Sequence, residues 1–253
     1  MKKTKIYFAS DFHLGIPDHK SSLIREKKLV RWLDQISVDA SEVFLMGDIF
    51  DFWFEFRHVV PKGYVRLFGK IAELTDRGIP VNIYCGNHDI WAFDYFKTEL
   101  NVNLERKPVI REFDGFKLFL AHGDGLGPGD NGYKRLKKVF EFKPNQFLLK
   151  LLHPDIVVWM GLYFSRKSRY ANIIREGKPE NHVKIKDEML VKYAMRKIES
   201  IPDIDFFIFG HRHIPVKEKI GNNAEVIILG DWLTHFSYGI FEDGKMHLRY
   251  FEG

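Results

Sequence analysis

Five short polar clusters recur along the chain, and each directly follows an apolar run. Together they offer seven side chains that could bind metal ions: two carboxylates, one amide oxygen and four imidazoles. The predicted ligands are Asp11, His13, Asp48, Asn87, His122, His211 and His213. A mixed oxygen and nitrogen set favours manganese, iron, zinc or cobalt over magnesium or calcium alone. The sequence therefore predicts a site for a pair of divalent cations.

The charge of such a site indicates its chemistry. Two divalent cations carry four positive charges, of which Asp11 and Asp48 would cancel two. The remaining positive charge would attract a phosphate or pyrophosphate anion and stabilise the negative charge that grows on it during hydrolysis. Two ions roughly 3.5–4 Å apart need a shared carboxylate, and Asp48 is the best candidate. The predicted reaction is metal-dependent attack of water on phosphorus.

The apolar runs that precede the clusters have the length of buried strands. In the first half of the chain they alternate with helical patterns at residues 22–36 and 64–76, which is typical of an α/β sheet. The predicted strands cover residues 5–10, 42–47, 81–85, 108–113, 116–121, 205–209, 225–229, 238–241 and 246–251. Because sites in such sheets form at the carboxyl ends of strands, we expect the five clusters to meet at one edge.

A helical, basic and aromatic segment at about residues 131–198 interrupts the run of strands. We interpret residues 1–253 as a single domain and this segment as a helical insertion that caps it. Its basic and apolar side chains fit two interpretations, a surface that lies on an anionic membrane or helices that pack on the sheet. Four basic residues are candidates for binding the phosphates of a substrate: Arg57, Arg166, Lys184 and Lys186.

Composition narrows the class of protein. The chain has 253 residues, 45% of them hydrophobic, and a net charge of +5, which favours anionic partners. Cys85 is the only cysteine, so no intramolecular disulfide can form. The apolar run at residues 6–9 is too short for a secretory signal, and no apolar segment has the length needed to cross a bilayer. These features predict a cytoplasmic protein that could touch a membrane surface.

The order of the motifs resembles that of the calcineurin-like metallophosphoesterases, which carry D-x-H, G-D, G-N-H, H-G-D and G-H-x-H. The resemblance covers strand ends across nearly the whole chain and implies a four-layer α/β/β/α sandwich of two mixed sheets. It also implies that Asp48 contacts both ions. One ion would be held by Asp11, His13, Asp48 and His213, and the other by Asp48, Asn87, His122 and His211.

A narrower resemblance, to the UDP-2,3-diacylglucosamine hydrolases of lipid A biosynthesis, is carried by the stretches DFHLG, GDIFDFWF, AHGDGLGPGDNGYKRLKKVF, GHRHIP and LGDW. It implies cleavage of the pyrophosphate of UDP-2,3-diacylglucosamine to UMP and 2,3-diacylglucosamine 1-phosphate, usually with manganese. It also implies work at the cytoplasmic face of the inner membrane, with the insertion covering the acyl chains. His88 is a departure, since the best-known members have arginine at that place.

The cluster at residues 86–89 also supplies candidates for catalysis. His88 could donate a hydrogen bond to a phosphoryl oxygen or protonate the leaving oxygen, next to the predicted ligand Asn87. Asp89 could fix the tautomer of His88. Asp51 and Asp124 are interpreted as carboxylates that shape the neighbouring loops.

Two other functions stay open at this point. The same chemistry could serve another nucleotide pyrophosphate, a phosphodiester or nucleic acid, although the apolar insertion argues against a nuclease. The chain could instead be a non-catalytic binding scaffold, but such proteins generally lose ligands and all seven are present here. The pattern predicts no obligate protein partner.

Overall fold

The computed structural model describes residues 4–127, 131–176, 185–221 and 223–253, without the side chains of residues 131, 168–176 and 186. The strands are β1 (Lys5–Ala9), β2 (Ala40–Leu45), β3 (Val81–Tyr84), β4 (Asn103–Glu105), β5 (Val109–Phe113), β6 (Phe116–Ala121), β7 (Phe206–Phe209), β8 (Pro215–Ile220), β9 (Ala224–Leu229), β10 (Ser237–Glu242) and β11 (Lys245–Tyr250). The helices are α1 (His19–Ile36), α2 (Val65–Asp76), α3 (Tyr95–Leu100), α4 (Asn131–Glu141), α5 (Lys143–Lys150), α6 (Pro154–Glu176) and α7 (Met189–Ser200).

The strands form two mixed sheets. The first has the order β11-β10-β1-β2-β3-β4, in which β1 to β4 are parallel and β10 pairs antiparallel with β1. The second has the order β5-β6-β7-β9-β8, with a parallel centre made of β6, β7 and β9. Because parallel strands end at the same edge, each sheet gathers the loops that follow its central strands on one side.

The inner faces of the two sheets pack against each other. Phe8 and Phe44 are neighbours in the register of the first sheet, and their rings stack with centroids 5.0 Å apart. They share one buried cluster with Leu120 and Ile208 of the second sheet. This apolar layer fixes the relative position of the sheets, and the site depends on loops from both.

Helices cover the two outer faces. The first sheet is covered by α1, whose Trp32 and Leu33 lie fully buried in the cluster that the helix shares with that sheet. The second is covered by α7, which buries Leu190 and Ala194. The resulting order of helix, sheet, sheet and helix confirms the predicted four-layer sandwich.

Helices α4, α5 and α6 follow β6 and lie within the range predicted for the insertion. They contact the core through an aromatic cluster in which Phe140 and Val157 pack with Phe54 and Trp91. Helix α7 begins in the same range but packs on the second sheet. Among the described residues, no helix has the length and apolar character needed to span a bilayer.

Candidate metal centre

Main-chain hydrogen bonds tie the strand-end loops to one another. The amide of Asp11 donates to the carbonyl oxygen of Gly47 at 3.1 Å, and the amide of His13 donates to that of Asp48 at 3.0 Å. Between the sheets, the amide of Trp232 donates to the carbonyl oxygen of Asp11 at 3.1 Å. The backbone itself therefore brings together the loops that carry the predicted ligands.

Five of the seven predicted ligands have left-handed backbone conformations. These are Asp11 (φ +59°), His13 (+43°), Asp48 (+52°), His211 (+68°) and His213 (+56°). Residues other than glycine rarely adopt this region, at a cost of about 1–3 kcal/mol each. Strain of this kind persists only where the surrounding structure imposes it, and it clusters at functional sites.

Close approach explains two glycines of the motifs. A Cβ added at Gly86 would overlap the carboxylate of Asp48, and one added at Gly210 would overlap Ser10 and the carboxylate of Asp11. Only a residue without a side chain lets the neighbouring loops meet at these points. The glycines of GNHD and GHRH are therefore part of the construction of the site.

Asp11, His13 and His213 form the first cluster, with their ligand atoms within 4.8 Å of one another. The Nε2 atoms of His13 and His213 are 3.2 Å apart, and His213 Nε2 is 3.4 Å from Asp11 Oδ1. The other oxygen of Asp11 accepts hydrogen bonds from Ser10 Oγ at 2.5 Å and from the His211 amide at 2.8 Å. Asp11 is thus oriented with Oδ1 toward the cluster.

Asp48, His122 and His211 form the second cluster, within the same 4.8 Å. Asp48 Oδ2 is 3.3 Å from His122 Nε2 and 3.8 Å from His13 Nε2, so this oxygen lies between the two clusters. Asp48 Oδ1 accepts a hydrogen bond from the His88 amide at 2.9 Å, which holds the carboxylate in place. A ligand shared by two ions needs this position.

Oxygen atoms lie behind three of the imidazoles. Nδ1 of His13 is 3.4 Å from Asp51 Oδ1, and Nδ1 of His213 is 3.4 Å from Asp231 Oδ2. Nδ1 of His122 lies 2.7 Å from a main-chain carbonyl oxygen, to which it donates. A proton held at Nδ1 leaves the lone pair of Nε2 directed at the cluster, which is the arrangement typical behind a metal-binding histidine.

Three buried polar atoms of the predicted ligands have no hydrogen-bond partner within the described part of the chain. They are Asp11 Oδ1, Asn87 Oδ1 and His122 Nε2. An unsatisfied buried polar atom costs about 1–3 kcal/mol, and each of these atoms can offer a lone pair to a cation. The residues present therefore fit the predicted pair of divalent ions, and the mixed oxygen and nitrogen set suits a transition metal.

Burial and close charges set the protonation of the site. Burial opposes ionisation of Asp48, but the charges of His122 and His88 outweigh it and hold the pKa of Asp48 well below its usual range. Burial also opposes protonation of His122, but the Asp48 charge outweighs it and raises the pKa of that imidazole well above its usual value. Burial, followed by repulsion from His122, lowers the pKa of His211 to about 4. A metal ion that binds here would therefore displace a proton from His122.

His88 lies beside the first cluster, with 17% of its side chain exposed. Its ring centroid is 4.8 Å from that of His13. Its Nδ1 lies 2.8 Å from the carbonyl oxygen of Asp51 and 3.3 Å from Ser165 Oγ. Because a carbonyl oxygen only accepts, Nδ1 carries the proton, and the tautomer of His88 is fixed by the main chain of Asp51.

Asp89 binds the main chain instead of His88. Its Oδ1 accepts a hydrogen bond from the Gly86 amide at 2.6 Å, and its Oδ2 accepts one from the Ile49 amide at 2.9 Å. Burial, followed by the charge of Asp48, raises the pKa of Asp89 to about 7. Among the described residues the Asp89 carboxylate joins two loops and does not contact the His88 ring. The expectation that Asp89 fixes the tautomer of His88 is therefore wrong, because the carbonyl oxygen of Asp51 accepts the Nδ1 proton.

Two of the predicted phosphate-binding residues lie on the surface. Arg57 is exposed in the loop after β2, and Arg166 Nη2 lies 3.4 Å from the carbonyl oxygen of Pro17 at an exposed position. Lys184 lies outside the described residues, as does the side chain of Lys186. Substrate contacts by these four residues stay predictions.

Two buried residues that the sequence did not single out hold the loops of the site. Arg25 of α1 donates from Nε to the carbonyl oxygen of Phe12 at 2.7 Å, and from Nη2 to two further carbonyl oxygens of the same loop at 2.7 and 2.6 Å. Ser165 of α6 donates from Oγ to Asp51 Oδ2 at 2.6 Å. An arginine or a serine inside a helical pattern gives no local signal of such a contact.

The structure has a mainly apolar cavity of about 500 Å³. It lies between the start of α1, the loop that follows β2 and helix α6, and its lining includes Phe52, Phe56, Val60, Val158 and Leu162. Phe52 directly follows Asp51, so the cavity begins next to a residue that contacts the first cluster.

Comparison with known proteins places these features in context. Residues 4–215 match the family described as calcineurin-like phosphoesterase. A Porphyromonas gingivalis protein named UDP-2,3-diacylglucosamine hydrolase is 34% identical over 258 residues, which cover 99% of this chain and 98% of that protein. An Aeromonas hydrophila protein of the same name is 27% identical, with 96% of each chain covered. The solved phosphoesterase Yfce from E. coli is similar at a TM-score of 0.47 and 16% identity, covering 98% of this chain and 93% of that one.

Proposed function

Because the chain belongs to the calcineurin-like phosphoesterase family and is a metal-dependent hydrolase, we propose that it cleaves the pyrophosphate bond of UDP-2,3-diacylglucosamine. The products would be UMP and 2,3-diacylglucosamine 1-phosphate. The proposal is carried by the combination of two clusters of metal-binding side chains with a mainly apolar cavity of about 500 Å³, whose lining includes Phe52, the sequence neighbour of Asp51. A phosphorylated lipid needs both features, and the Porphyromonas gingivalis relative is named for this substrate.

In this proposal the two clusters would hold two divalent ions, and the family resemblance implies that these are manganese. Bound ions of this kind activate water and neutralise charge on phosphoryl oxygens. Asp48 would be shared, because its Oδ2 lies between the clusters. The other ligands would be Asp11, His13 and His213 for one ion and Asn87, His122 and His211 for the other.

His88 is the proposed catalytic residue of the chain itself. Its Nδ1 proton is held by Asp51, so Nε2 is the nitrogen that can act on the substrate. As an imidazolium it would donate a hydrogen bond to a phosphoryl oxygen or protonate the leaving phosphate oxygen. The reaction breaks one P–O bond of the pyrophosphate, and the oxygen of water forms the new bond to phosphorus.

We propose that residues 131–198 cap a single domain of residues 1–253 and shelter the acyl chains. The cavity lies beneath α6, and Val158 and Leu162 of that helix contribute to its lining. Each buried CH₂ group of an acyl chain would contribute roughly 0.8 kcal/mol to binding. The cavity would therefore favour an acylated substrate over a small phosphodiester.

The enzyme is further proposed to work as a peripheral protein on the cytoplasmic face of the inner membrane. Helices α5 and α6 expose large apolar side chains, among them Phe147 (63% exposed), Leu148 (59%) and Trp159 (66%). Lysines stand at both ends of α5, at positions 143 and 150. An apolar surface with flanking lysines suits an anionic bilayer, where the lipid substrate is found.

Release of UMP from UDP-2,3-diacylglucosamine by the purified protein with manganese tests this function. We expect release by the wild type and none by D48A, whose fold would be checked by circular dichroism. Hydrolysis of bis(p-nitrophenyl) phosphate without any release of UMP would mean that the phosphoesterase chemistry is right and the lipid substrate is wrong. If the wild type hydrolysed neither substrate, both the lipid substrate and the phosphoesterase activity would be contradicted.

A further inference from the structure

Ser165 lies where the helical insertion meets the loops of the metal centre. Only 8% of its surface is exposed. Its Oγ donates a hydrogen bond to Asp51 Oδ2 at 2.6 Å, although the two residues are 114 positions apart. The same oxygen is 3.3 Å from Nδ1 of His88. One hydroxyl of the insertion therefore contacts both the carboxylate behind His13 and the proposed catalytic imidazole.

Helix α6 is seated closely at this point. A Cβ added at Gly161 would overlap the ring of Phe52, so the helix backbone lies directly on that ring. Phe52 is the neighbour of Asp51 in sequence, and Ser165 is one helical turn after Gly161. The position of Ser165 relative to Asp51 is thus set by packing of the helix as well as by the hydrogen bond.

The chemistry of the three groups gives the hydrogen bonds a direction. A carboxylate oxygen only accepts, so Ser165 Oγ donates its proton to Asp51. The lone pairs of Oγ then face Nδ1 of His88. The carbonyl oxygen of Asp51, 2.8 Å from the same nitrogen, is a second acceptor for its proton. The Nδ1 proton is shared between two acceptors, and both hold the plane of the imidazole.

We propose that Ser165 is a positioning residue that orients His88 for phosphoryl transfer, an inference that rests on the proposed function. It acts through His88, not through the metal clusters or the substrate. The insertion then contributes to the chemical step as well as to binding of the acyl chains, because displacement of α6 removes one acceptor from the His88 ring.

A double-mutant cycle with His88 tests this role, with manganese and bis(p-nitrophenyl) phosphate as the probe. This substrate has no acyl chain, so loss of lipid binding does not enter the result. We expect S165A to lower kcat about tenfold with little change in KM. In an H88A background, itself about 100-fold slower, S165A should change kcat by less than about twofold, because the group it positions is gone.

Two variants separate positioning from support of the fold. S165T keeps the hydroxyl and should recover most of the activity that S165A loses. Y133F removes the hydrogen bond from Tyr133 Oη to Asp124 Oδ2 at 2.6 Å, which ties α4 of the insertion to another loop without touching His88. Its effect on kcat should be the same with and without H88A, as expected of independent sites.

A second measurement does not depend on activity. In the ¹⁵N-labelled wild type, the hydrogen-bonded Nδ1 proton of His88 should give a slowly exchanging imidazole signal, assigned by its loss in H88A, and S165A should broaden or shift it. An unchanged signal, or an equal loss of kcat by S165A in both backgrounds, would overturn the positioning role while leaving the phosphoesterase function intact. Absence of any hydrolysis by the wild type would reject the proposed function and this inference together.

Discussion

His13 Nε2 and His213 Nε2 lie 3.2 Å apart, although 200 positions separate the two residues in sequence. With their Nδ1 atoms facing the carboxylates of Asp51 and Asp231, the two Nε2 lone pairs point toward the same small volume. Without a cation the two nitrogens are at hydrogen-bond distance, and a cation bound to both would take the place of the proton between them.

Removal of the shared carboxylate should reduce metal binding at both clusters. We expect the wild type to retain two manganese ions per chain after dialysis and D48A to retain less than one, because Asp48 Oδ2 faces ligands of both clusters. Inductively coupled plasma mass spectrometry gives the stoichiometry, and thermal unfolding of both proteins controls for loss of fold. Two ions bound by D48A would contradict a shared ligand.

The carboxylate behind His213 should control the affinity of the first cluster. Asp231 Oδ2 lies 3.4 Å from His213 Nδ1, and loss of such an outer partner typically weakens metal binding about 10–100-fold. D231N should therefore need more manganese for half-maximal activity. H235A is the matched control, because His235 contacts the other oxygen of Asp231 at 3.5 Å. Equal manganese requirements for D231N and the wild type would contradict this role.

Arg25 should be important for the stability of the loop that carries Asp11 and His13. Its guanidinium binds three carbonyl oxygens of that loop, and the single ammonium of lysine cannot reproduce this fork. We expect R25K to lower the free energy of unfolding by about 2–4 kcal/mol, as measured by urea denaturation. R31K, at an exposed position of the same helix, should change it by less than about 0.5 kcal/mol. Equal stabilities of the two variants would show that the three hydrogen bonds of Arg25 do not stabilise the fold.

Cys85 should be unreactive in the folded protein. Burial, followed by the negative charge of Asp89, raises the pKa of its thiol far above the usual value, so the thiolate is not formed between pH 7 and pH 9 in the native state. In the unfolded chain the thiol has its ordinary pKa of about 8.5, and raising the pH through that value should accelerate labelling. Reaction with a disulfide reagent, with and without urea, measures both rates. Rapid native labelling that rises with pH would show that the thiol is accessible.

The apolar cavity should distinguish acylated from small substrates. V158K introduces a charge into its lining and should raise KM for UDP-2,3-diacylglucosamine about tenfold or more, because a charged group would then replace apolar surface that an acyl chain would contact. Hydrolysis of bis(p-nitrophenyl) phosphate should change little. M195K, at an exposed position on α7, controls for the added charge. An equal effect of V158K on both substrates would contradict a role of the cavity in binding acyl chains.

Much of the architecture could be predicted because it depends on local apolar pattern. The central strands are apolar runs that end at polar motifs, and the helix predicted at residues 22–36 is observed as α1. Strand β8 was missed because three consecutive charged residues, Lys217, Glu218 and Lys219, interrupt its apolar pattern at the edge of a sheet. Helix α3 was missed because its first amides are bound by Glu55 Oε2, a partner 39 and 40 positions away that no local pattern reveals.

The sequence predicts which residues form the candidate site better than it predicts how they are arranged. The seven ligands were singled out by their types and their places after strands, yet the left-handed backbone at Asp11 or His213 follows from hydrogen bonds between loops. The tautomer of His88 is fixed by Asp51 and not by Asp89 for the same reason. Adjacent residues on a tight loop point in different directions, and a residue 37 positions away lies closer to the His88 ring.

The pairing of β1 with β10 has a consequence for the order of events during synthesis. The strand that precedes Asp11 needs a neighbour made more than 200 positions later, and β7, which precedes His211 and His213, also lies late in the chain. Contacts this distant in sequence form slowly and late in folding. We therefore expect a nascent chain to remain without its complete set of ligands until β10 has left the ribosome, so that metal loading follows translation.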